Sequence, residues 1–375
     1  MRILSMLLLT ALAGCATVPP PLEVPLTAEE QPYLSDAYQL TSGFGRAGEA
    51  YFSPDMNWII FQAAPTADTG YQMYVAPLEK RDGRIVGINR AVQVSEAGSK
   101  NTCGYFEPYA NGASAAPSLI FGSTGDYLRP LPTDASRVEL STPVAATTRP
   151  ARGYAWEFPT DMEIWRLDNW PAVVRPTSTV PGTWRWVRLT NNNVYDAEGA
   201  FSPDGKWIVY TSGAGAEADI YIMSADGQKR IQVTKAPGYD GGPFFSPDGR
   251  RLVYRSDRKL NDTLQIFVAD LAFDAAGNIT GVKAERQITH DDSNNWAPYW
   301  HPAGKHIIYA SSRHGHRNYE LYLIGADGSN PTRITYWEGS DVLPVFSPDG
   351  QYLMWTSRRA RSGTPQVVIA RVRLP

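Results

Sequence analysis

The chain is poor in the residues that most catalytic chemistry relies on. Its 375 residues include two cysteines, Cys15 and Cys103, and five histidines. No Cys cluster, phosphate loop or His-Glu-x-x-His pattern is present, which removes the common metal and nucleotide sites. There is no Gly-x-Ser-x-Gly elbow, so a serine nucleophile of the hydrolase type has no place to sit. Lysines and arginines form no run and the net charge is -3, which argues against nucleic acid as a partner. The longest apolar stretch, near the N-terminus, is too short to cross a bilayer as a structural helix. What the chain does have is 43% hydrophobic residues over a long body. A chain of ~300 residues buries roughly 75% of its extended surface.

Against this background one phrase repeats: Phe201-Ser-Pro-Asp-Gly205, Phe245-Ser-Pro-Asp-Gly249 and Phe346-Ser-Pro-Asp-Gly350, with weaker copies around Pro54, Pro108 and Pro302. Ser, Pro and Gly stand where a type I turn prefers them, so each copy predicts a hairpin. Each is followed by a short run rich in β-branched and aromatic residues, such as Trp207-Ile-Val-Tyr210 or Leu353-Met-Trp355, which reads as a strand buried on both faces. A second strand (Asp219-Ile-Tyr-Ile-Met223, Glu320-Leu-Tyr-Leu323), an Ala-Asp-Gly turn and a closing Ile-Thr segment complete four antiparallel strands per unit. The spacing of the turn prolines is that of propeller blades rather than solenoid turns. The fold predicted is all-β: a six-bladed β-propeller of four-stranded antiparallel blades.

The ends of the chain indicate how the ring closes. The step from Ile220 to Ile231, applied from Val367, runs past Pro375, so the last unit lacks its outer strand. Tyr38-Gln-Leu-Thr41 precedes the first turn as Val187-Arg-Leu-Thr190 precedes the third, without a blade of its own. Residues 37–41 are therefore expected to complete blade six.

Arg2, the apolar Ile3–Ala11 and then Leu12-Ala-Gly-Cys15 form a short export signal whose ending resembles the lipobox of bacterial lipoproteins. The resemblance implies cleavage after residue 14, a lipid on Cys15 and, with Ala16 next, the outer membrane of a Gram-negative envelope facing the periplasm. Residues 15–32, with Pro19-Pro-Pro21, Pro25 and Pro32, read as a lipidated Cys and an extended tether ahead of a propeller spanning 33–375. With Cys15 taken by lipid, Cys103 has no partner for an intramolecular disulfide.

The turn phrase, the Asp-Ile-Tyr strand, the Ala-Asp-Gly turn and the terminal Ile-Thr together resemble the TolB-like propeller family over residues 37–375. The resemblance implies a non-catalytic periplasmic propeller that works through protein contacts. It carries the fold and the compartment rather than a Tol-Pal role, since nothing here corresponds to the N-terminal α/β domain of TolB.

Connectivity separates two faces. The Ser-Pro-Asp-Gly turns share one; the loops joining second to third strands and the starts of the innermost strands share the other. Seven residues before each turn proline stand Ala47, Asn101, Asp196, Asp240, Asn295 and Asp341. The five Asp or Asn side chains either cap their own strands or ring the channel mouth as a mildly acidic site for a cation, a basic side chain or sugar hydroxyls. On the same face blade two carries a long insertion, residues 122–160, with Arg129, Tyr154, Trp156 and Phe158 as candidate contact residues. Loops of that length are normally functional or disordered; a fixed lid over the channel is the other reading.

The scarce histidines leave one weak metal candidate, His314 and His316 with His290 and Asp291; His301 and His306 read as structural. Propeller lyases acting on pectin fragments resemble this in placing histidines near a channel. Two readings follow. The favoured one is a lipid-anchored, monomeric binding or scaffold module without cofactor, engaging an envelope protein or glycan at the channel mouth. The alternative is a metal-dependent polysaccharide lyase or hydrolase at the same place.

Overall fold

The serine of each turn phrase has two tasks. Ser202 Oγ donates to Asp204 Oδ1 at 2.6 Å and accepts the Trp207 N–H at 3.0 Å, clamping the hairpin end, while Gly205 takes the left-handed φ of 71° the turn requires. Ser53, Ser246 and Ser347 repeat the arrangement, bonding Asp55, Asp248 and Asp349. His301 fills the same position in blade five, where its Nδ1 accepts the Ala303 N–H and its ring meets Phe346 edge-on, which makes it a structural residue.

The computed structural model describes residues 20–108, 117–128, 157–175, 183–215, 217–259, 263–359 and 362–374. Six antiparallel sheets follow one another around a ring. Blade one is Arg46–Phe52, Trp58–Ala64 and Gln72–Arg81, with the outer position split between Arg84–Ile88 and Val92–Gln93. Blade two is Asn101–Phe106, Ser118–Ser123, Glu163–Asp168 and Arg185–Arg188, and blade three Tyr195–Phe201, Trp207–Ala214, Glu217–Ser224 and Arg230–Gln232. Blade four is Asp240–Phe245, Arg251–Ser256, Gln265–Phe273 and Ile279–Gln287, and blade five Asn295–Trp300, His306–Ser311, Glu320–Gly325 and Thr332–Arg333. Blade six takes Asp341–Phe346, Tyr352–Ser357 and Gln366–Val372 from the C-terminal end and Leu34–Gln39 from the N-terminal end. Among the described residues the helix is a single short one, Trp170–Val174, and none is long and apolar enough to cross a membrane.

The closing Ile-Thr of each unit also has a physical task. In every blade the hydroxyl at that position accepts a backbone N–H from the third strand: Ser95 from Met73, Thr190 from Ile164, Thr234 from Ile220, Thr289 from Ile266, Thr335 from Leu321 and Thr41 from Val367, all at 2.8–3.0 Å. Thr41 thus performs for blade six what the other five perform within their own units. The chain ends are stitched together as the sequence predicted, with pairing running from Leu34 through the Leu40 N–H bonded to Val367 O.

The stretch read as tether is folded in its described part. Val24 N–H bonds Ala37 O and Gln39 N–H bonds Leu22 O, so the segment lies along the closing strand. Val24 joins the apolar cluster that contains Leu321 and Trp355. Glu30 is fully buried and receives Arg359 through both guanidinium NH2 groups, at 3.1 and 2.8 Å; Arg359 also bonds Asp341, and all three side chains are inaccessible. A Pro-rich composition suggested extended chain, but the apolar Val24 and the charge of Glu30 give residues 22–32 a docking site on the ring. Residues 1–19, with Cys15, lie outside the described part.

Candidate functional site

The innermost strands position the site, and each carries two layers that behave differently. Asn101, Asp196, Asp240, Asn295 and Asp341 are at most 5% exposed, and each pairs across the sheet with a serine of the second strand: Ser123, Ser212, Ser256, Ser311 and Ser357. In blade one the pair is Ala47 with Ala63. The polar side chains have local partners: Asn192 on Asp196, Arg258 on Asp240, Ser99 and Tyr71 O on Asn101, Asp291 on Asn295, Arg359 and Trp355 on Asp341. This layer is not an open acidic ring at the mouth: it holds the start of each inner strand in place, and of the five only Asn101 also lines the central cavity. Burial pushes the Asp240 carboxyl up to about 6 against the pull of Arg258.

Two residues further along, every inner strand has a bulge. Its residue is left-handed in all six blades: Glu49, Cys103, Glu198, Gly242, Ala297 and Leu343, with φ between 46° and 59°. Five are not glycine, a costly choice of backbone that concentrates at functional positions. The bulge redirects these residues onto the axis, where all six line a cavity of about 660 Å³. Prolines at the next position in blades four, five and six (Pro243, Pro298, Pro344) are tolerated because that edge of the sheet has no neighbouring strand.

The cavity has a floor. Tyr51, Tyr105, Phe244 and Tyr299, four residues beyond the polar layer, meet across the axis with ring centroids 4.9–6.3 Å apart, and the Tyr105 and Tyr299 hydroxyls are within 3.3 Å. Entry to the cavity is from the other end, past Arg46, Tyr71, Lys100 and Glu157 on the face opposite the Ser-Pro-Asp-Gly turns.

Two charged groups dominate the interior. Glu198 accepts from Arg255 Nη2 at 2.7 Å, Tyr239 OH at 2.7 Å, the Gly242 N–H at 2.6 Å and Thr211 Oγ1 at 2.8 Å. The arrangement explains the glycine pair in blade four: a Cβ on Gly242 would stand 1.9 Å from Arg255 Nη1, and one on Gly241 2.1 Å from the Tyr239 hydroxyl. Glu49 lines the same cavity from blade one. It is 9% exposed and forms no ion pair among the described residues. Burial raises its pKa, with the bond to Cys103 and the Arg255 charge opposing and the Glu198 charge adding to the rise, so its carboxyl is more easily protonated than an ordinary one. Burial likewise holds the Cys103 thiol well above its usual range, so it is no thiolate nucleophile.

The blade-two insertion returns over this mouth. Phe158 packs edge-on against Tyr195 and Tyr239, from blade three and from just ahead of blade four, and Glu157 bonds Lys100 at 2.6 Å. At its start Tyr127 stacks on Trp186 and bonds Ser123, so this aromatic serves the blade rather than a ligand. Arg129, Tyr154 and Trp156 lie outside the described residues.

The metal candidates are not brought together. The Asp291 carboxylate is engaged by Arg313, which with Ser293 and Asn295 keeps it below its usual pKa although burial opposes this. His314 Nε2 pairs with the Tyr322 hydroxyl at 2.8 Å, and His290 and His316 are exposed. Among the described residues no three His, Cys, Asp or Glu side chains gather as a metal set.

Glu49, Cys103, Glu198 and Arg255 escaped the sequence reading, which stopped at the repeated position. The available signal was the position two residues on, where an otherwise repeated strand reads Glu, Cys, Glu, Gly, Ala and Leu.

Known proteins place this architecture. The TolB beta propeller domain family, PD40, matches residues 187–287 and 277–373, about half of the chain. A "Protein TolB homolog" of Chlorobaculum tepidum is 33% identical over 69 residues, 18% of this chain and 15% of its own length. An uncharacterized protein of Agrobacterium fabrum is 34% identical over 85 residues, 22% of this chain and 27% of its own. The chain thus spans about a quarter or less of the curated relatives it matches. Among solved structures, a protein assigned as TolB from Agrobacterium tumefaciens superposes with a TM-score of 0.53 at 17% identity, covering 88% of this chain and 91% of that one. An oligogalacturonate lyase from Vibrio parahaemolyticus gives 0.51 at 13% identity over 94% and 96%. At such identities both share the fold alone. Blade architecture, turn chemistry and the two domain matches agree: the chain belongs to the TolB-like β-propeller family.

Proposed function

We propose that the protein is a non-catalytic binding module of the bacterial envelope, held to the outer membrane by a lipid on Cys15 and receiving an envelope protein or glycan partner at the mouth of its central cavity. The observation that supports this reading is the single-ended cavity of about 660 Å³, floored by aromatics and opening on the face that carries the blade-two insertion. Its volume falls within the ~300–1,000 Å³ of small-molecule and side-chain pockets. Glu198 and Arg255 are tied to each other as an ion pair, and burial holds Cys103 as a neutral thiol. The Leu-Ala-Gly-Cys sequence and the family resemblance support the envelope assignment.

Metabolic labelling with a fatty-acid analogue tests the anchor: label is expected on the full chain and absent from Cys15→Ser. For the mouth, removal of residues 130–155 spares Phe158, Glu157 and Tyr127. The variant is expected to fold and to lose its crosslinked partner in a pull-down from membranes, and undiminished capture would refute a role for the insertion.

A further inference from the structure

The charges of the cavity do not balance at its deep end. Glu198 has Arg255 as its counter-ion at 2.7 Å, while Glu49, two blades round the ring, forms no ion pair among the described residues and feels Arg255 only at longer range. The other cations of the lining lie nearer the mouth: Lys100 pairs with Glu157, and Arg46, without an ion pair among the described residues, lies 4.6 Å from the Tyr71 ring centroid while its Nη2 donates to Thr69 O. Gln62, which stands opposite Gly48 in the adjoining strand and also lines the cavity, has a buried amide oxygen with no donor. The amide oxygen and, when ionised, the carboxylate thus share one wall as acceptors.

Around them are faces rather than further charges. Tyr51, Phe244, Tyr299 and Trp296 line the same cavity. Aromatic faces with an unpaired carboxylate attract cations carried on an apolar stem, through the ring quadrupole and through charge-assisted hydrogen bonds. An anion entering the deep end would meet Glu49 and Glu198 with Arg255 already bound to Glu198 and Arg46 and Lys100 only nearer the mouth, and a purely apolar group would leave Glu49 buried without a counter-ion.

We infer that the cavity recognises an organic cation, an ammonium or guanidinium group on an apolar stem, with Glu49 as its counter-ion and the aromatic floor against the stem. The inference rests on the cavity being the binding site. The cation arrives either as a free small molecule or as a basic side chain of a protein partner, and the two sources share this chemistry.

Calorimetry on the full-length protein tests the assignment with a matched pair of probes, 2-phenylethylammonium and its neutral isostere 2-phenylethanol, and with the tripeptide Gly-Arg-Gly. The ammonium is expected to bind and the alcohol to bind about tenfold to a hundredfold more weakly, the loss typical of one charge-assisted hydrogen bond. Glu49→Gln should bring the ammonium down to the level of the alcohol and leave the alcohol unchanged. Binding of Gly-Arg-Gly that is also sensitive to Glu49→Gln would assign the cation to a protein partner; binding of the ammonium alone would assign it to a free ligand. Equal binding of ammonium and alcohol to the unaltered protein overturns the inference whatever the variant does. So does the absence of cation binding, and if capture at the mouth persists in that case the binding-module reading stands while this ligand class falls.

Discussion

Two layers of the same inner strands, two residues apart, have opposite characters. The Asx layer recurs in five of the six blades, is at most 5% exposed and bonds local partners, with one buried oxygen each of Asp196, Asp240 and Asn295 left without a donor among the described residues. The bulge layer takes five residue types over six blades, adopts a backbone that five of its six residues find costly, and faces the cavity. Repetition in this propeller marks what holds blades together, and its interruption marks what the ring was shaped to do.

The largest expected effect lies in the first layer, where Asp341 belongs to the buried triad that locks both chain ends. Arg359→Ala leaves Glu30 and Asp341 buried without a cation and should destabilise by about 3–5 kcal/mol, as breaking a buried pair does. Urea denaturation would measure it, and a loss near zero would show that the N-terminal segment is not part of the closure. Next comes the repeated hydroxyl: Thr234→Val orphans the buried Ile220 N–H and should cost about 1–3 kcal/mol. The same substitution at Thr41 should cost at least as much, because the closing strand of blade six is supplied by the distant N-terminal end.

The third prediction concerns pH. Burial raises Glu320 to about 8, against the opposing bonds from Thr335 and Arg333, from an ordinary value of 4.5. The folded state therefore binds a proton that the unfolded state releases between those limits, so stability falls as pH rises from about 4.5 to 8. Glu320→Gln should flatten that part of the melting-temperature profile, and an unchanged slope would remove Glu320 as its source. The smallest effect belongs to the second layer. Leu343→Gly relieves a left-handed residue worth about 1–2 kcal/mol but gives up part of a half-buried side chain, and net stability should change by no more than about 1 kcal/mol. A much larger loss would mean that this layer is scaffold as well.

The contrast also explains what the sequence could disclose. Blade number, strand direction and closure by residues 37–41 were legible because turn chemistry is local: Ser202, Asp204 and Gly205 specify a hairpin without help from the rest of the chain. The cavity was not, because Glu198 meets Arg255 across 57 positions and Glu49 meets Thr356 across 307. The left-handed φ at Glu49 or Leu343 has no glycine to announce it. Residues 22–32 were misread because proline content describes an isolated chain, whereas Glu30 is held by Arg359, which lies 329 positions away.

The claim that the varied layer and its mouth form the functional face is open to one direct measurement. A photo-crosslinking amino acid placed in cells at Tyr71, on the mouth rim, should give a discrete adduct with the partner, while the same residue at Asp204, on the turn face, should give none. Adducts from Asp204 with none from Tyr71 would contradict the account and put function on the repeated turns.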